Sequence, residues 1–211
     1  MILQSRNNTS NILDTLSNEY PDAVCGLNYS NELELTIALI LAAQCTDKMV
    51  NKTIPILFKK YNNIYDLKDA NISDIENIVK SCGFYKNKSK NILLTVNKIV
   101  NNYNGIVPNT MKQLTSLHGI GRKSSNIILQ ECFNITEGIA VDTHVSRLSK
   151  RIGLTKTSLP ITQEKELMKI IPKYYYNKIN HIFVTHGRKI CTSRNPKCDI
   201  CVINNICKKY I

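Results

Sequence analysis

Apolar residues in this chain recur at helical spacing, three or four positions apart, and rarely alternate. Asn31 precedes ELELTIALILAA with Glu34 three residues on, a capping-box pattern ahead of an apolar helix. That helix is apolar on nearly every face, which predicts a central, buried element. Ser73 and Glu76 repeat the capping pattern before IENIVKSCG, which stops at Gly83. NKSKNILLTVNKIVNNYNG keeps the helical period and ends at Gly105, the expected C-cap. A short helix from Asn109 or Thr110 to Leu117 comes after it, and Arg122 opens the next. Thr162 is expected to cap QEKELMKII, and Pro172 to terminate it. No period-two strand, internal repeat or long low-complexity linker interrupts this pattern, so the predicted class is all-α. From Gly187 onward the apolar period fades and Cys, Lys, Arg, Asn and Pro dominate, as in a small ligand-stabilised appendage on a helical body.

Composition adds a partner to this picture. The 211 residues, 43% of them hydrophobic and 21% charged, are ordinary for a soluble globular protein. The balance of 28 Lys and Arg against 16 Asp and Glu is not, and the resulting net charge of +12 suits a polyanion. Part of the lysine excess is discounted, because abundant Asn, Ile and Lys together fit an AT-rich genome. MILQSRNNTS has no apolar run behind a basic start, and LTIALILAA is too short to span a bilayer. Neither secretion nor membrane insertion is expected. A cytosolic, reducing compartment is therefore expected, which makes the eight cysteines poor candidates for disulfides.

Four of them crowd into the tail. Cys191, Cys198, Cys201 and Cys207 form a C-x6-C-x2-C-x5-C pattern, and four thiolates in so short a loop can surround one soft metal centre. Zinc sites made of four cysteines usually pair two short knuckles, and this stretch has only one. A [4Fe-4S] cluster tolerates the wider gaps, so it is preferred on spacing, with zinc the rival. Cys25, Cys45, Cys82 and Cys132 are scattered among apolar residues and read as buried thiols.

Met111 to Leu117, then HGIG, then Arg122 to Cys132, reads as a helix–hairpin–helix. Gly119 and Gly121 are expected to supply the unusual backbone angles of the turn and to let a ligand approach. Free N–H groups at the second helix's start, with Arg122 beside them, can then hold a phosphate without reading its base.

Lys123 is out of place there. A lysine near a helix N-terminus opposes the dipole, and Arg122 repels it, so both favour the neutral amine. A neutral lysine forms Schiff bases; a second phosphate contact is the alternative. Asp142, in GIAVDTHVSRLSKRIG, precedes a basic helix carrying Arg147, Lys150 and Arg151. It can cap that helix, and it can also stabilise positive charge developing on a substrate sugar.

Together LAAQCTD, LHGIGRKSSNIIL, AVDTH, HGR and the four-cysteine tail resemble the endonuclease III family, in that family's order and spacing and over nearly the whole chain. These are bifunctional enzymes of base excision repair, DNA glycosylases with abasic-site lyase activity. The resemblance implies a six-helix barrel domain over about 25–135, with the helix–hairpin–helix at about 111–131. It implies a second helical domain joining 1–24 to 136–211 and carrying one [4Fe-4S] cluster on Cys191, Cys198, Cys201 and Cys207. It assigns attack on the sugar's C1′ to Lys123, assisted by Asp142, and then β-elimination 3′ to the lesion. Gln44 matches the residue that fills the gap left by a flipped base, and Phe84 sits where a leucine wedge is usual. Arg194 and Lys197, with Arg188 and Lys189, are placed for phosphates.

The implied partner is double-stranded DNA carrying oxidised pyrimidines or abasic sites, bound by a cytoplasmic, nucleoid-associated, prokaryotic-type monomer. His118 replaces a usual proline, Ser124-Ser125 a common Thr-Ala, and Ala42 a frequent serine; these departures bear on lesion range, not reaction type. The alternatives are a relative that only hydrolyses the glycosidic bond, as adenine and mismatch glycosylases do, and a non-catalytic helix–hairpin–helix module with a zinc tail.

Overall fold

The computed structural model describes residues 2–209, with side chains from residue 8 onward, and has no strand among them. The all-α expectation holds. No helix among the described residues is long and apolar enough to cross a membrane. The chain divides into two compact units, Gly26–Ile135 and Met1–Cys25 with Thr136–Ile211.

The Gly26–Ile135 unit holds α2 (Glu32–Ala42), α3 (Asp47–Lys60), α4 (Ile64–Lys68), α5 (Ile72–Val79), α6 (Tyr85–Tyr103), α7 (Met111–Leu114) and α8 (Arg122–Phe133). Every residue of α2 from Leu35 to Leu41 is buried, because α3, α6 and α8 all pack on it. Each large aliphatic side chain so enclosed contributes about 1.5–3 kcal/mol. Asn31 Oδ1 accepts from the Glu34 N–H at 2.9 Å, as expected of the cap. Glu34 reaches back one residue further than a standard capping box, accepting from the Ser30 N–H at 2.7 Å.

Three boundaries differ from the expectation. Asn71, not Ser73, caps α5, and its side chain accepts from the Ser73 N–H at 2.9 Å. Two candidate caps stood close together, and the stronger acceptor two residues upstream takes the position. After α6, Asn104 adopts the left-handed conformation (φ 54°) ahead of Gly105 (φ 80°), so the cap is shared between them. α7 closes at Leu114 rather than Leu117, and single turns complete the approach to the hairpin.

The other unit is built from α1 (Ile2–Glu19), α9 (Thr143–Ile152), α10 (Pro160–Ile170) and α11 (Ile179–Lys189). Leu13 and Leu16 of α1 share one core with Val145, Leu148, Leu167 and Phe183, and Cys191, Cys201 and Cys207 pack against it. α10 starts two residues before the predicted Thr162, with Pro160 in its first turn and Leu159 at the cap. Proline is preorganised for that position, where its missing N–H costs no bond.

Candidate active site and thiol cluster

The hairpin joins α7 to α8 within the Gly26–Ile135 unit. Gly119 takes φ 79°, an angle that favours glycine, and a Cβ built there would also crowd Asn91 Nδ2 at 3.1 Å. Gly121 differs from the expectation. Its backbone is extended, which other residues also adopt, and a Cβ there would meet nothing within 4 Å. Its contribution is open space directly before α8, whose first turn has no side-chain cap. Arg122 is exposed and Lys123 half-buried on that first turn, whereas Ser125 to Gln130 face the core.

The contacts that steady this turn carry no sequence signal. Thr95 of α6 donates to the His118 carbonyl at 2.8 Å, and Lys98 donates to that of Ser116 at 2.7 Å. The His118 side chain itself is exposed.

Gln44 and Phe84 stand on two other loops of the same unit. Both are exposed, and both hold left-handed backbones, φ 52° and φ 46°. A residue with a side chain loses about 1–2 kcal/mol in that conformation. Phe84 is 64% exposed, a large apolar ring held in solvent on a strained tip. Cys82, behind it, is buried and donates to Thr53 Oγ1 at 3.5 Å; burial and the neighbouring Cys82 push the Cys45 thiol up. Cys82 is the buried thiol expected, whereas Cys25, Cys45 and Cys132 are only half-buried.

Asp142 lies in the other unit, at the N-cap of α9, where its Oδ1 accepts from the Val145 N–H at 2.8 Å. The extended approach to it is fixed by Asn180, which donates to the Ala140 carbonyl at 2.8 Å. The half-buried carboxylate lines an open cleft with Ser146, Arg147, Lys150 and Arg151. The capping role is therefore real, and the surrounding charge is basic.

α9 also ties down the cysteine tail. Arg147 donates to the Cys191 and Gly187 carbonyls at 3.0 and 3.1 Å, and Arg151 to those of Thr192 and Ser193 at 2.6 and 2.7 Å. A Cβ on Gly187 would fall 2.6 Å from His144 Nδ1 and 2.8 Å from an Arg147 nitrogen, which explains the glycine of HGR.

Cys191, Cys198, Cys201 and Cys207 line one cavity whose other walls include Leu148, Ile152 and Ile203. Four sulfurs around one largely apolar cavity are a donor set fitted to a soft metal centre. Burial first, and then the neighbouring thiols, push Cys201 and Cys207 up, so a cationic core is what would keep them as thiolates. Donors are arranged for such sulfurs. Arg151 Nη1 lies 3.5 Å from Cys191 Sγ, and the Lys209 N–H points to Cys207 Sγ at 3.4 Å.

His186 Nε2 lies 3.5 Å from Cys201 Sγ, and its Nδ1 meets the Tyr20 hydroxyl at 3.0 Å. Burial pushes His186 down to about 4, so the ring is neutral and bridges the Tyr20 hydroxyl and the Cys201 sulfur through its two nitrogens. Arg194 and Lys197 are exposed on the loop between the first two cysteines. Lys189 is also exposed, with its ammonium over the Tyr20 ring, 5.3 Å from the centroid.

Known proteins share this architecture. Residues 37–173 match the model of the HhH-GPD superfamily base excision DNA repair proteins, and residues 191–207 match the iron-sulfur binding domain of endonuclease III. The chain is 42% identical to endonuclease III of Synechocystis over 93% of its own length and 90% of the relative's. Endonuclease III of Buchnera aphidicola is 41% identical, with 95% and 93% covered. A solved endonuclease III, trapped as a covalent intermediate with DNA, superposes with a TM-score of 0.90 at 37% identity, covering 97% of this chain and 96% of that one. The chain belongs to the endonuclease III family, within the HhH-GPD superfamily of base excision DNA repair proteins.

Proposed function

We propose that Lys123 is the nucleophile and Asp142 the charge-stabilising carboxylate of this enzyme, acting on oxidised pyrimidines in duplex DNA. The chain is a base excision repair enzyme, a DNA glycosylase and abasic-site lyase, and it carries a [4Fe-4S] cluster. The observation that carries the reading is Lys123 on the uncapped first turn of α8, directly behind the open space at Gly121. A phosphate on those N–H groups would bring its sugar to the amine. The relative trapped in covalent linkage to DNA supports a covalent route.

In that route the Lys123 amine, after giving up a proton, forms a bond to C1′ as the base departs with the electrons of the glycosidic bond. The C1′–O4′ bond then breaks, O4′ taking up a proton as the sugar ring opens, and the imine so formed makes the C2′ proton acidic; its loss expels the 3′ phosphate. Asp142 lowers the energy of the cationic sugar along the way. Gln44 fills the space of the extruded nucleotide and Phe84 wedges the stack, which fits two exposed side chains held on strained tips. Gly119, Gly121, Arg122, Arg194 and Lys197 hold the phosphates, and the working form is a monomer.

Substrate class is tested by offering three duplexes, with an oxidised pyrimidine, a mispaired adenine, and a mismatched thymine. Base release with strand scission is expected on the first alone. Release without scission on either of the others would favour a purely hydrolytic enzyme.

Cys191, Cys198, Cys201 and Cys207 hold the cluster in this reading, and the cluster orders the loop bearing Arg194 and Lys197. Anaerobically purified protein should be brown, with about four irons per chain. Cys198→Ser should lose iron and yield insoluble or weakly DNA-binding protein, since ligation is the folding energy of that segment. Stoichiometric zinc in the wild type would contradict the assignment.

A further inference from the structure

Lys88 is a buried ammonium for which the chemistry above has no use. It lies in the first turn of α6 and is only 4% exposed. Lysine is almost never so enclosed unless paired, and burying its charge costs on the order of several kcal/mol. Its partners here are two main-chain carbonyls. Lys88 Nζ donates to Leu41 O at 2.8 Å and to Cys82 O at 2.7 Å. Leu41 belongs to the last turn of α2, and Cys82 ends the 3-10 turn Lys80–Cys82. Both carbonyls are end groups that helix geometry leaves without a partner, at the negative ends of their dipoles. One cation thus closes two helical C-termini.

The loops leaving these two termini give the arrangement its meaning. Gln44 is three residues past Leu41, and Phe84 is two residues past Cys82. These are the non-glycine residues of their loops that hold a positive φ, and both are exposed. Lys88 also grips the second tip through its backbone, its N–H donating to the Phe84 carbonyl at 3.1 Å. A hydrocarbon side chain would fill the same space without the desolvation cost, but it would leave two carbonyls buried and the loop bases unlinked.

We propose that Lys88 is a positioning residue that joins the bases of the two loops, so that Gln44 and Phe84 are presented to the duplex as one rigid pair. The proposal rests on the reading of Gln44 and Phe84 as the plug and the wedge. Independent loops would each have to be ordered on DNA at a cost in entropy; a joined pair has met that cost on folding.

The test compares one abasic site in duplex and in single-stranded DNA under single-turnover conditions. A single strand has no stack to open and no gap to fill, so it needs the amine but neither tip. Lys88→Met should slow cleavage of the duplex by about 10²-fold, the usual effect of a misplaced contact, and leave the single-strand rate unchanged. The double variant Gln44→Ala, Phe84→Ala should slow duplex cleavage to a similar degree, and adding Lys88→Met to it should cost little more there, because the three act through one device.

Equal slowing on both substrates would make Lys88 a general element of the fold and overturn the proposal. So would an unchanged duplex rate, or full additivity with the double variant. A double variant that cleaves duplex normally would instead remove the reading of the two tips, and the proposal with it. Should Lys88→Met fail to fold, Lys88→Gln, which drops the charge but keeps an N–H donor, carries the same comparison.

Discussion

Lys123→Gln is expected to abolish both the borohydride-trapped adduct and strand cleavage, while the protein stays folded and still binds duplex DNA. The loss is of chemistry alone. Glutamine has no amine to form an imine, and nothing else on this account supplies one. Stability should not fall with it, because Lys123 stands on the first turn of α8, where a positive charge opposes the helix dipole. Removing that charge is worth about 0.3–1 kcal/mol to the helix. For a chain of this size that corresponds to a rise in Tm of roughly 1–4 °C. A dead enzyme that melts no lower than the wild type is the signature of a residue kept for reaction against the interest of the fold. Binding should persist because the hairpin N–H groups and Arg122 are untouched. A variant inactive only because it is unfolded would melt lower and bind poorly.

Asp142→Asn should lower base excision by about 10²–10³, the effect of losing one electrostatic contact to a developing charge. Asparagine is as good an N-cap as aspartate, so the bond from Val145 N–H, 2.8 Å in the wild type, can be kept and α9 should not weaken. The substitution therefore separates the two roles that meet in this carboxylate. Trapping on a preformed abasic site should fall less, since no base has to leave. Asp142→Ala should lose the cap as well, costing about 1 kcal/mol of stability in addition to the rate. Excision by Asp142→Asn within tenfold of wild type, measured in single turnovers, would leave the carboxylate with its capping role only.

Much of the fold was legible where local signals agreed. α2 announced itself through an unbroken apolar run behind Asn31, and α8 through its position directly after a glycine turn. Elsewhere the signal was divided or hidden. Pro55 lies inside α3, where a proline normally marks an end; the helix continues because Thr46 caps it and Val50, Ile54 and Leu57 bury one face. α1 is mostly polar, and its few apolar positions gain meaning only against Leu167 and Phe183, far along the chain. Asn71 and Leu159 took the cap positions that Ser73 and Thr162 also fitted by pattern, because boundary choice depends on small differences among neighbours.

The site divides in the same way. Lys123, Asp142 and the four cysteines stood out because each breaks a local rule or shares a spacing. Gly121 was given a backbone role that the structure assigns to Gly119 alone. Lys88 was invisible, since a lysine among KNKSK reads as a solvated helix face until its burial is known. The same holds for Arg147 and Arg151, whose bonds to the tail carbonyls depend on contacts some forty residues away in sequence.

The central claim is that one amine, that of Lys123, becomes covalently bound to DNA. The direct measurement is to trap wild-type protein on an abasic duplex with borohydride, digest the adduct, and locate the sugar remnant by mass spectrometry. The account predicts a single modified peptide, carrying the remnant on Lys123. A remnant on Lys98, Lys150 or any other amine, with Lys123 unmodified, would contradict it.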